Sequence, residues 1–462
     1  MPRSESQQVA QRIITRFRER TRQSEANHRQ AQEFLPGGDT RGATHFSPYP
    51  VYMEKGEGCT LSDCDGNAYL DLLNNYTSLI HGHAHPATTE ALRKQSTWGT
   101  ALGSPSTSAA EHARVLRGRL PSLEMIRYCN SGTEATMFAM RAARAFTNRS
   151  VFIKMDGGYH GSHDYVQVNI APDTESVGLP TSRVENRGIP AAVMQDIIIV
   201  PFNSVDVLDA TLEKHTNDVA AIILEPMLGS AGQIAPISGY LKSVRQLADR
   251  HQALLILDEV ITFRLAMGGF QELESVEADL TALGKLIGGG LPVGAFGGRE
   301  EIMDLFNPDR PDCLYHSGTF NGNNVTMAAG MATLQGYEQE EINRVNQLGD
   351  QLRNGIAEAL AEVEVQGQVT GLGSLVGLHW ASNRLVHNAR DAAVAFKAAA
   401  DLPKLLHLEL MNQGVFSSRR GQYCISTPMT KSHVDQAIDK FASAFATLKP
   451  YIAEMSPHLI EH

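Results

Sequence analysis

Lys285 is the single charged residue of an apolar, glycine-rich stretch, TALGKLIGGGLPVGAFGG, at residues 281–298. An amine kept from water is costly to charge, so its pKa falls and the neutral, nucleophilic form is favoured near pH 7. The Walker A spacing GxxxxGK[ST] is absent, because the lysine precedes the glycine cluster. The stretch therefore gives little support to nucleotide binding and indicates a neutral, nucleophilic amine.

Two further stretches place polar groups where parallel sheets bind ligands, beyond the carboxyl ends of strands. In YCNSGTEATMFAM, Ser131, Gly132 and Thr133 stand between a strand and a helix. Free backbone N–H groups and the helix dipole favour a phosphate there, and a plain N-cap is the alternative. In LLILDEV, Asp258 ends an apolar run and needs a partner inside the fold, for which a structural ion pair is the alternative.

A phosphate-binding turn, a buried carboxylate and a buried lysine are together what pyridoxal 5′-phosphate requires. The carboxylate keeps the pyridine nitrogen protonated, so that the ring withdraws electrons from a carbanion. The lysine holds the aldehyde as a Schiff base and, once released, moves a proton between substrate and cofactor. Lys285 and Asp258 are thus the predicted catalytic residues.

The elements that must position these residues alternate along the chain. Apolar runs of strand length recur at 125–129, 150–155, 196–202, 220–226 and 253–260, with helical stretches such as 133–146 and 239–251 between them. This alternation predicts an α/β fold with a mostly parallel sheet covered on both faces. We expect a large cofactor-binding domain (76–330), and an N-terminal segment (1–75) that packs with a small C-terminal domain (331–462).

Composition excludes several classes of protein. Of 462 residues, 42% are hydrophobic and 20% are charged, as in ordinary globular proteins. The net charge of −11 disfavours a general nucleic-acid or anionic-membrane surface. No apolar run approaches the ~18 residues of a membrane span, and no signal-peptide core is visible, so we expect a cytoplasmic protein. Five scattered cysteines predict reduced thiols and no metal site.

The motifs NSGTEA, GGYHG, EP, LDEV, LGKLIGGGLPVGAFGG and HSGTFNGNNVTMAAG occur in this order along the chain. The set resembles the class III, fold-type I pyridoxal-phosphate aminotransferases. The resemblance implies that Lys285 forms the Schiff base, that Asp258 pairs with the pyridinium, and that a homodimer shares its active sites. It also implies cofactor contacts from Ser131, Gly132, Thr133, Tyr159, His160, Glu225, Val260 and Thr319, of which Thr319 reaches the phosphate of the other subunit's cofactor.

Some of these residues have simpler explanations. Core packing for Tyr159 and a turn position for His160 are the alternatives. The spacing of His81, His83 and His85 is similar to that of a metal-binding cluster. The family has a similar glycine-histidine-proline turn without metal, which favours structural roles for these histidines. In one departure, Leu228 stands where relatives often carry a glutamine near the phenolic oxygen of the cofactor.

The residues that would bind substrate differ between the branches of this family. Glutamate-1-semialdehyde aminomutases usually read PGGVNSPVRAF, whereas this chain reads PGGDTRGATHF, with Thr44 in place of the arginine and Arg41 before it. That placement resembles the β-phenylalanine aminotransferases, whose second carboxylate-binding arginine matches Arg420 better than Arg419. Planar guanidinium groups bind carboxylates through two hydrogen bonds. Tyr76 and Phe46 are candidate pocket walls, with core packing as the alternative.

We therefore expect a homodimeric transaminase that moves the amino group of a β-amino acid to 2-oxoglutarate or pyruvate. Aromatic donors such as β-phenylalanine are expected to react best. An aminomutase related to the glutamate-1-semialdehyde enzymes, and a racemase or epimerase, are the alternatives on the same scaffold. A non-catalytic binding protein on this fold is the remote alternative.

Overall fold

The computed structural model describes residues 4–175, 178–382 and 385–460. The strands of these residues form a central sheet of seven strands and two smaller sheets of four and three. None of the helices in the described ranges is both long enough and apolar enough to cross a membrane.

The N-terminal part of the chain consists of two helices, a three-stranded meander and a short turn. Gln7 donates its backbone N–H to the side chain of Ser4, which caps the first helix. Buried Val9, Ile13 and Phe17 form one face of that helix, as its amphipathic spacing requires. The elements are α1 (Glu5–Arg20), α2 (Arg22–Ala31), β1 (Met53–Glu57), β2 (Thr60–Asp63), β3 (Ala68–Asp71) and the left-handed turn α3 (Asn74–Thr77).

The middle of the chain contributes the seven strands of the central sheet and the helices around it. In chain order these are α4 (Pro86–Ser96), α5 (Thr107–Arg119), β4 (Met125–Cys129), α6 (Gly132–Thr147), β5 (Val151–Met155), β6 (Ile197–Val200), α7 (Val205–Lys214), β7 (Val219–Leu224), α8 (Tyr240–Arg250), β8 (Leu254–Asp258), α9 (Gly269–Glu274), β9 (Leu280–Gly284), β10 (Gly294–Gly298), α10 (Glu300–Met303) and α11 (Asn324–Gly336). The strand order is β4-β10-β9-β8-β7-β5-β6.

The central sheet is mostly parallel, as predicted. All neighbours from β9 to β6 pair in parallel. Alternate residues of β8 enter two different cores, Leu255 and Leu257 on the side of α8 and Leu254 and Ile256 on the side of α6. This two-sided burial explains why the strand is apolar at every position until Asp258.

Strand β10 runs antiparallel to both β9 and β4. Sequence analysis does not predict it, because three of its five residues are glycines, which disfavour strands. A Cβ atom on Gly294 would lie 2.0 Å from the carbonyl oxygen of Ser131. The glycine therefore lets β10 pass directly beside the turn that precedes α6.

The C-terminal part returns to the N-terminal meander. Its elements are α12 (Gln339–Glu362), β11 (Gln368–Leu372), β12 (Leu375–His379), α13 (Ala389–Ala398), α14 (Leu402–Asn412), β13 (Val415–Phe416), β14 (Gln422–Cys424) and α15 (Lys431–Met455). Strand β13 pairs in parallel with β3, and α1 packs against α14 and α15. Strands β11, β12 and β14 form the antiparallel three-stranded sheet. The division into domains at residues 75 and 330 stays a prediction.

Candidate active site

Lys285 lies directly after β9 and begins a single 3₁₀ turn, Lys285–Gly288. Its backbone is left-handed, with φ of +50°, which is uncommon for a residue with a side chain. The side chain is half-buried and lines a cavity of about 390 Å³ at the carboxyl ends of the strands. Burial lowers the pKa of the amine, and the carboxylates of Asp258 and Glu225 act against this. The cavity thus holds an amine with an enhanced neutral fraction.

Asp258 is the last residue of β8 and is 5% exposed. One of its oxygens lies 2.8 Å from Nδ1 of His160, and the other accepts the backbone N–H of Val260 at 3.1 Å. All three residues line the cavity. His160 is therefore a direct partner of the carboxylate and not only a turn residue.

The turn before α6 contains an N-cap, and its role in binding a phosphate stays a prediction. The hydroxyl of Ser131 accepts the backbone N–H of Glu134 at 3.2 Å, so Ser131 is the N-cap and does not line the cavity. Gly132 and Thr133 do line it. A Cβ on Gly132 would approach the side chain of Val260 to 3.1 Å, so the glycine leaves room at the helix N-terminus. Free N–H groups and the helix dipole make this turn suitable for a phosphate.

Glu225 follows β7 and is 3% exposed. Its carboxyl oxygens accept the backbone N–H groups of Tyr159 and Gly229, each at 3.0 Å. Burial, reinforced by the charge of Asp258, raises the pKa of Glu225 to about 7, against the effect of these hydrogen bonds and of Lys285. Glu225 thereby holds Tyr159, whose ring is 41% exposed and lines the same cavity.

A second cavity of about 550 Å³ adjoins the first, and Asn75 and Gly290 line both. Arg41 and Tyr76 line this second cavity. Nη1 of Arg41 lies 2.8 Å from Oδ1 of Asn75, and its guanidinium carbon lies 5.1 Å from the centre of the Tyr76 ring. Phe46 is 7% exposed and forms part of the cavity wall while packing against His407, so it is both a core and a wall residue.

The two neighbouring arginines near the C-terminus face different cavities. Arg419 lines the same cavity as Arg41, whereas Arg420 lines a third cavity of about 280 Å³. Burial raises the pKa of the Tyr76 and Tyr159 hydroxyls, and the charge of Arg420 acts against it at both. The charges of Arg41 and Arg419 also act on Tyr76, so Arg420 differs from Arg419 in that its charge reaches Tyr159 as well.

Several other residues named from the sequence fall outside the Lys285 cavity. Thr319 is exposed and does not line it, so its contact with another subunit's cofactor stays a prediction. His81 makes hydrogen bonds with Thr427 and Thr333, and His83 with Asp71. Leu228 is fully buried. The described residues contain no group of three or more side chains that could hold a metal ion.

Sequence analysis misses five polar or small residues that line the Lys285 cavity. Asn75 and Ser78 come from the left-handed turn α3 and its end, a polar cluster after a strand that reads as an ordinary loop. Asn130, Gly161 and Gly290 belong to stretches already quoted for their chemistry. Their orientation depends on contacts far along the chain, such as the 2.8 Å hydrogen bond from Asn130 to Asn321.

A lysine, a buried carboxylate paired with histidine, and a helix N-terminus meet beyond the strands of one sheet. The donor set fits pyridoxal 5′-phosphate, since it offers an amine for the aldehyde, an acceptor for the ring nitrogen and N–H groups for the phosphate. The fold and the site together define a fold-type I enzyme that depends on this cofactor.

Comparison with known proteins identifies the family. Residues 42–445 match the family Aminotransferase class-III. The glutamate-1-semialdehyde 2,1-aminomutase of Methanothrix thermoacetophila is 41% identical over 76% of this chain and 80% of that protein. An omega-transaminase from Sphaerobacter thermophilus has a TM-score of 0.88 and 38% identity over 92% of this chain and 98% of that chain. A β-phenylalanine aminotransferase from Variovorax paradoxus has a TM-score of 0.87 and 33% identity over 96% of this chain and 98% of that chain.

The chain belongs to the class III aminotransferases, and its cofactor is pyridoxal 5′-phosphate. The predictions of fold, family and cofactor are thereby confirmed. The relatives include both transaminases and aminomutases, so the reaction class is that of enzymes which transfer or relocate an amino group.

Proposed function

We propose that the protein is a transaminase that takes the amino group of a β-amino acid and passes it to 2-oxoglutarate or pyruvate. The observation that carries the proposal is the place of Arg41. Its guanidinium is held by Asn75 and Tyr76 in a cavity that adjoins the one containing Lys285. A β-amino acid carries its carboxylate one carbon further from the amine than an α-amino acid, so a carboxylate-binding arginine set apart from Lys285 suits it.

Seven residues that line the Lys285 cavity have roles in this proposal. Bound pyridoxal phosphate supplies an aldehyde and an electron-withdrawing ring. Lys285 would hold the aldehyde and, once released, would move a proton at the carbon that bears the amino group. Asp258, oriented by His160, would pair with the ring nitrogen, while Gly132 and Thr133 would hold the phosphate. Tyr159 and Val260 would lie against the ring.

A transaminase must bind two different acids in turn, which calls for a second cation. Arg420 is our first choice because its charge reaches both Tyr76 and Tyr159. Arg419 is the alternative because it lines the same cavity as Arg41. Both belong to a turn closed by the hydrogen bond from Gly421 N–H to the Ser418 carbonyl, so they are presented from one loop.

A glutamate-1-semialdehyde aminomutase is the second candidate, and the names of the curated relatives favour it over the first. In that substrate the amino group lies on carbon 2 and the remaining carboxylate on carbon 5, so a distant arginine serves it as well. Against it stands Thr44, where aminomutases carry their arginine. The hydroxyl of Thr44 lies within hydrogen-bond distance of Asp39 and of the Arg41 carbonyl and donates its proton to one of them, so it shapes the loop of Arg41 instead of binding an acid.

A donor panel on the holoenzyme separates the candidates. We would supply α- and β-amino acids with 2-oxoglutarate or pyruvate, and in parallel glutamate 1-semialdehyde without an acceptor. If the protein is the proposed transaminase, aromatic β-amino acids should react best and the semialdehyde should be inert. Conversion of the semialdehyde with no reaction of β-amino acids would establish the second candidate. Racemisation of a donor without an acceptor would indicate a racemase or epimerase.

The variant Arg41→Ala tests the residue that carries the proposal. Losing one charge-assisted carboxylate contact should raise KM for β-phenylalanine about 10- to 100-fold with little change in kcat. Arg12→Ala, an exposed arginine of α1, is the matched control and should behave as wild type. An unchanged KM in Arg41→Ala would show that the donor carboxylate binds elsewhere.

We also propose a cytoplasmic homodimer with shared active sites. Thr319 lies on a loop with Tyr315 and Phe320, whose side chains are 81% and 60% exposed. Large apolar groups gathered in this way favour burial against another protein surface. Light scattering should give twice the mass of the chain, and Thr319→Val should weaken cofactor binding. A monomer with full activity would contradict the shared site.

A further inference from the structure

The turn α3 has an unusual backbone. Asn74, Asn75, Tyr76 and Thr77 have φ values of 47°, 47°, 56° and 73°. Four consecutive left-handed residues with side chains are costly, because each Cβ crowds the neighbouring carbonyl oxygen. Such a conformation persists only where the surrounding structure holds it, and it is found preferentially at functional sites.

Buried hydrogen bonds hold both ends of the turn. Asn74 is fully buried, and its side-chain N–H donates to the carbonyl of Cys424 at 3.0 Å. At the other end, the carbonyl of Thr77 accepts Nη1 of Arg264 at 3.3 Å. The Arg264 side chain is itself buried and also donates to the hydroxyl of Ser374 at 3.0 Å. The middle of the turn is thus forced outward by anchors on either side.

The outward residues meet Arg41. The side-chain oxygen of Asn75 accepts Nη1 of Arg41 at 2.8 Å, and the hydroxyl of Tyr76 donates to the carbonyl of Ala43 at 2.6 Å. The loop of Arg41 is also held by a bond of its own, since Asp39 accepts the Arg41 backbone N–H at 3.0 Å. Both ends of the Arg41 side chain are therefore held, one by its own loop and one by Asn75.

We propose that Asn75 is a positioning residue that aims the Arg41 guanidinium at the border of the two cavities and so determines which carboxylate-to-amine spacing the enzyme accepts. The inference rests on the proposed role of Arg41 in binding the donor carboxylate. Asn75 alone of the turn's two outward residues lines both cavities. Its amide oxygen is a neutral acceptor, which orients the guanidinium and leaves the full positive charge for the substrate.

Asparagine at position 75 meets two requirements, a left-handed backbone and a neutral hydrogen-bond acceptor. Among residues with side chains, asparagine tolerates the left-handed region best, so it fits the backbone of the turn. Aspartate would share that tolerance and the same reach, but its charge would neutralise Arg41 and compete with the substrate carboxylate. The structure therefore distinguishes a positioning role, which requires a neutral acceptor, from a purely structural role, for which either residue serves.

The test is a double-mutant cycle on the holoenzyme with Asn75→Gly, Arg41→Ala and the double variant, read out as KM and kcat for β-phenylalanine. Glycine keeps the backbone of the turn and removes only the acceptor. We expect Asn75→Gly to raise KM about three- to tenfold, the effect of one hydrogen bond to a charged group, with kcat and the cofactor absorbance unchanged. The double variant should match Arg41→Ala, because Asn75 acts only through Arg41.

Two further variants complete the design. Asn75→Asp should raise KM at least as much as Asn75→Gly, whereas a structural role predicts wild-type behaviour. Asn148→Gly is the matched control, since Asn148 is also left-handed, with φ of 52°, but caps the far end of α6. Additive effects of Arg41→Ala and Asn75→Gly, or an unchanged KM in Asn75→Gly, would overturn the inference.

Failure of the proposed function can be distinguished from failure of the positioning role. If wild type converts no β-amino acid, the proposed donor is wrong, and the cycle is run with the acid that the panel identifies. Coupling of Asn75 to Arg41 in that cycle would support the positioning role with a different donor. Absence of coupling there would overturn it.

Discussion

The Nδ1 nitrogen of His160 lies 2.8 Å from an oxygen of Asp258, and both side chains are buried at the end of β8. Burial lowers the pKa of the imidazole, although Asp258 acts against it. A neutral imidazole carries one N–H, and a carboxylate can only accept, so we assign that proton to Nδ1. In the described part of the chain, Nε2 of His160 has no hydrogen-bond partner. His160 therefore serves the carboxylate that is proposed to pair with the cofactor ring.

Removing the imidazole tests this relationship. In His160→Ala we expect kcat to fall about 10- to 100-fold, because one hydrogen bond to a buried charge is lost and Asp258 is less well oriented. KM for the donor should change little, since His160 is not proposed to bind its carboxylate. Steady-state kinetics and the visible absorbance of the holoenzyme measure both effects. His251→Gln, at the end of α8, is the control, and equal loss of activity there would point to a general destabilisation.

Lys285 should be indispensable for turnover. In Lys285→Ala the cofactor has no amine to attach to, so activity should be lost while the phosphate turn and Asp258 still bind the cofactor without a covalent bond. Borohydride reduction followed by mass spectrometry checks this, because wild type should gain the mass of the cofactor, less one water and plus two hydrogens, and the variant should not. Full activity in the variant would refute the assignment of Lys285.

The raised pKa of Glu225, about 7, makes the stability of the protein depend on pH. A carboxyl group whose pKa is higher in the folded than in the unfolded state binds protons more tightly when folded. Its contribution to the free energy of unfolding is therefore present at low pH and is lost as pH rises from about 4.5 to about 7, by roughly 3 kcal/mol in all. Urea unfolding of the cofactor-free protein across this range measures the loss.

The isosteric variant Glu225→Gln is the comparison for this experiment. Glutamine keeps an acceptor for the backbone of Tyr159 or Gly229 but does not titrate. The difference in unfolding free energy between wild type and Glu225→Gln should thus change steadily over the same pH range. Parallel pH curves for the two proteins would show that Glu225 has an ordinary pKa.

Gly294→Ala should destabilise the protein and weaken cofactor binding together. The added Cβ would lie 2.0 Å from the carbonyl oxygen of Ser131, so β10 or the turn before α6 must move. We expect a loss of about 3 kcal/mol or more in stability and a higher dissociation constant for pyridoxal phosphate. Thermal unfolding and cofactor titration measure these changes.

Gly118→Ala is the matched control for that substitution. Gly118 lies in α5, and an added Cβ would meet no atom within 4 Å. Because alanine favours helix, this variant should be as stable as wild type or up to about 1 kcal/mol more stable. Equal destabilisation by both substitutions would contradict the steric explanation.

Much of the fold is readable from short stretches. The apolar run that ends at Asp258 is a strand whose two faces are both buried, and this burial leaves a local pattern. The strand at 294–298 is not readable, because its glycines are chosen for close approach to the turn at Ser131 and not for strand propensity. The hydrophobic pattern of a segment indicates how that segment is buried. It does not indicate which other part of the backbone lies beside it.

The same limit applies to the site. The types and neighbours of Lys285, Asp258 and Ser131 are enough to indicate a pyridoxal-phosphate enzyme, because a reactive amine, a buried acid and a helix N-cap each leave a local signature. Local sequence could not predict that His160 bonds to Asp258, 98 residues away, or that Asn75 holds Arg41, 34 residues away. Nor could it predict that Arg419 and Arg420 face different cavities. These relationships depend on how distant segments pack, and side-chain direction at a turn follows from that packing rather than from residue type.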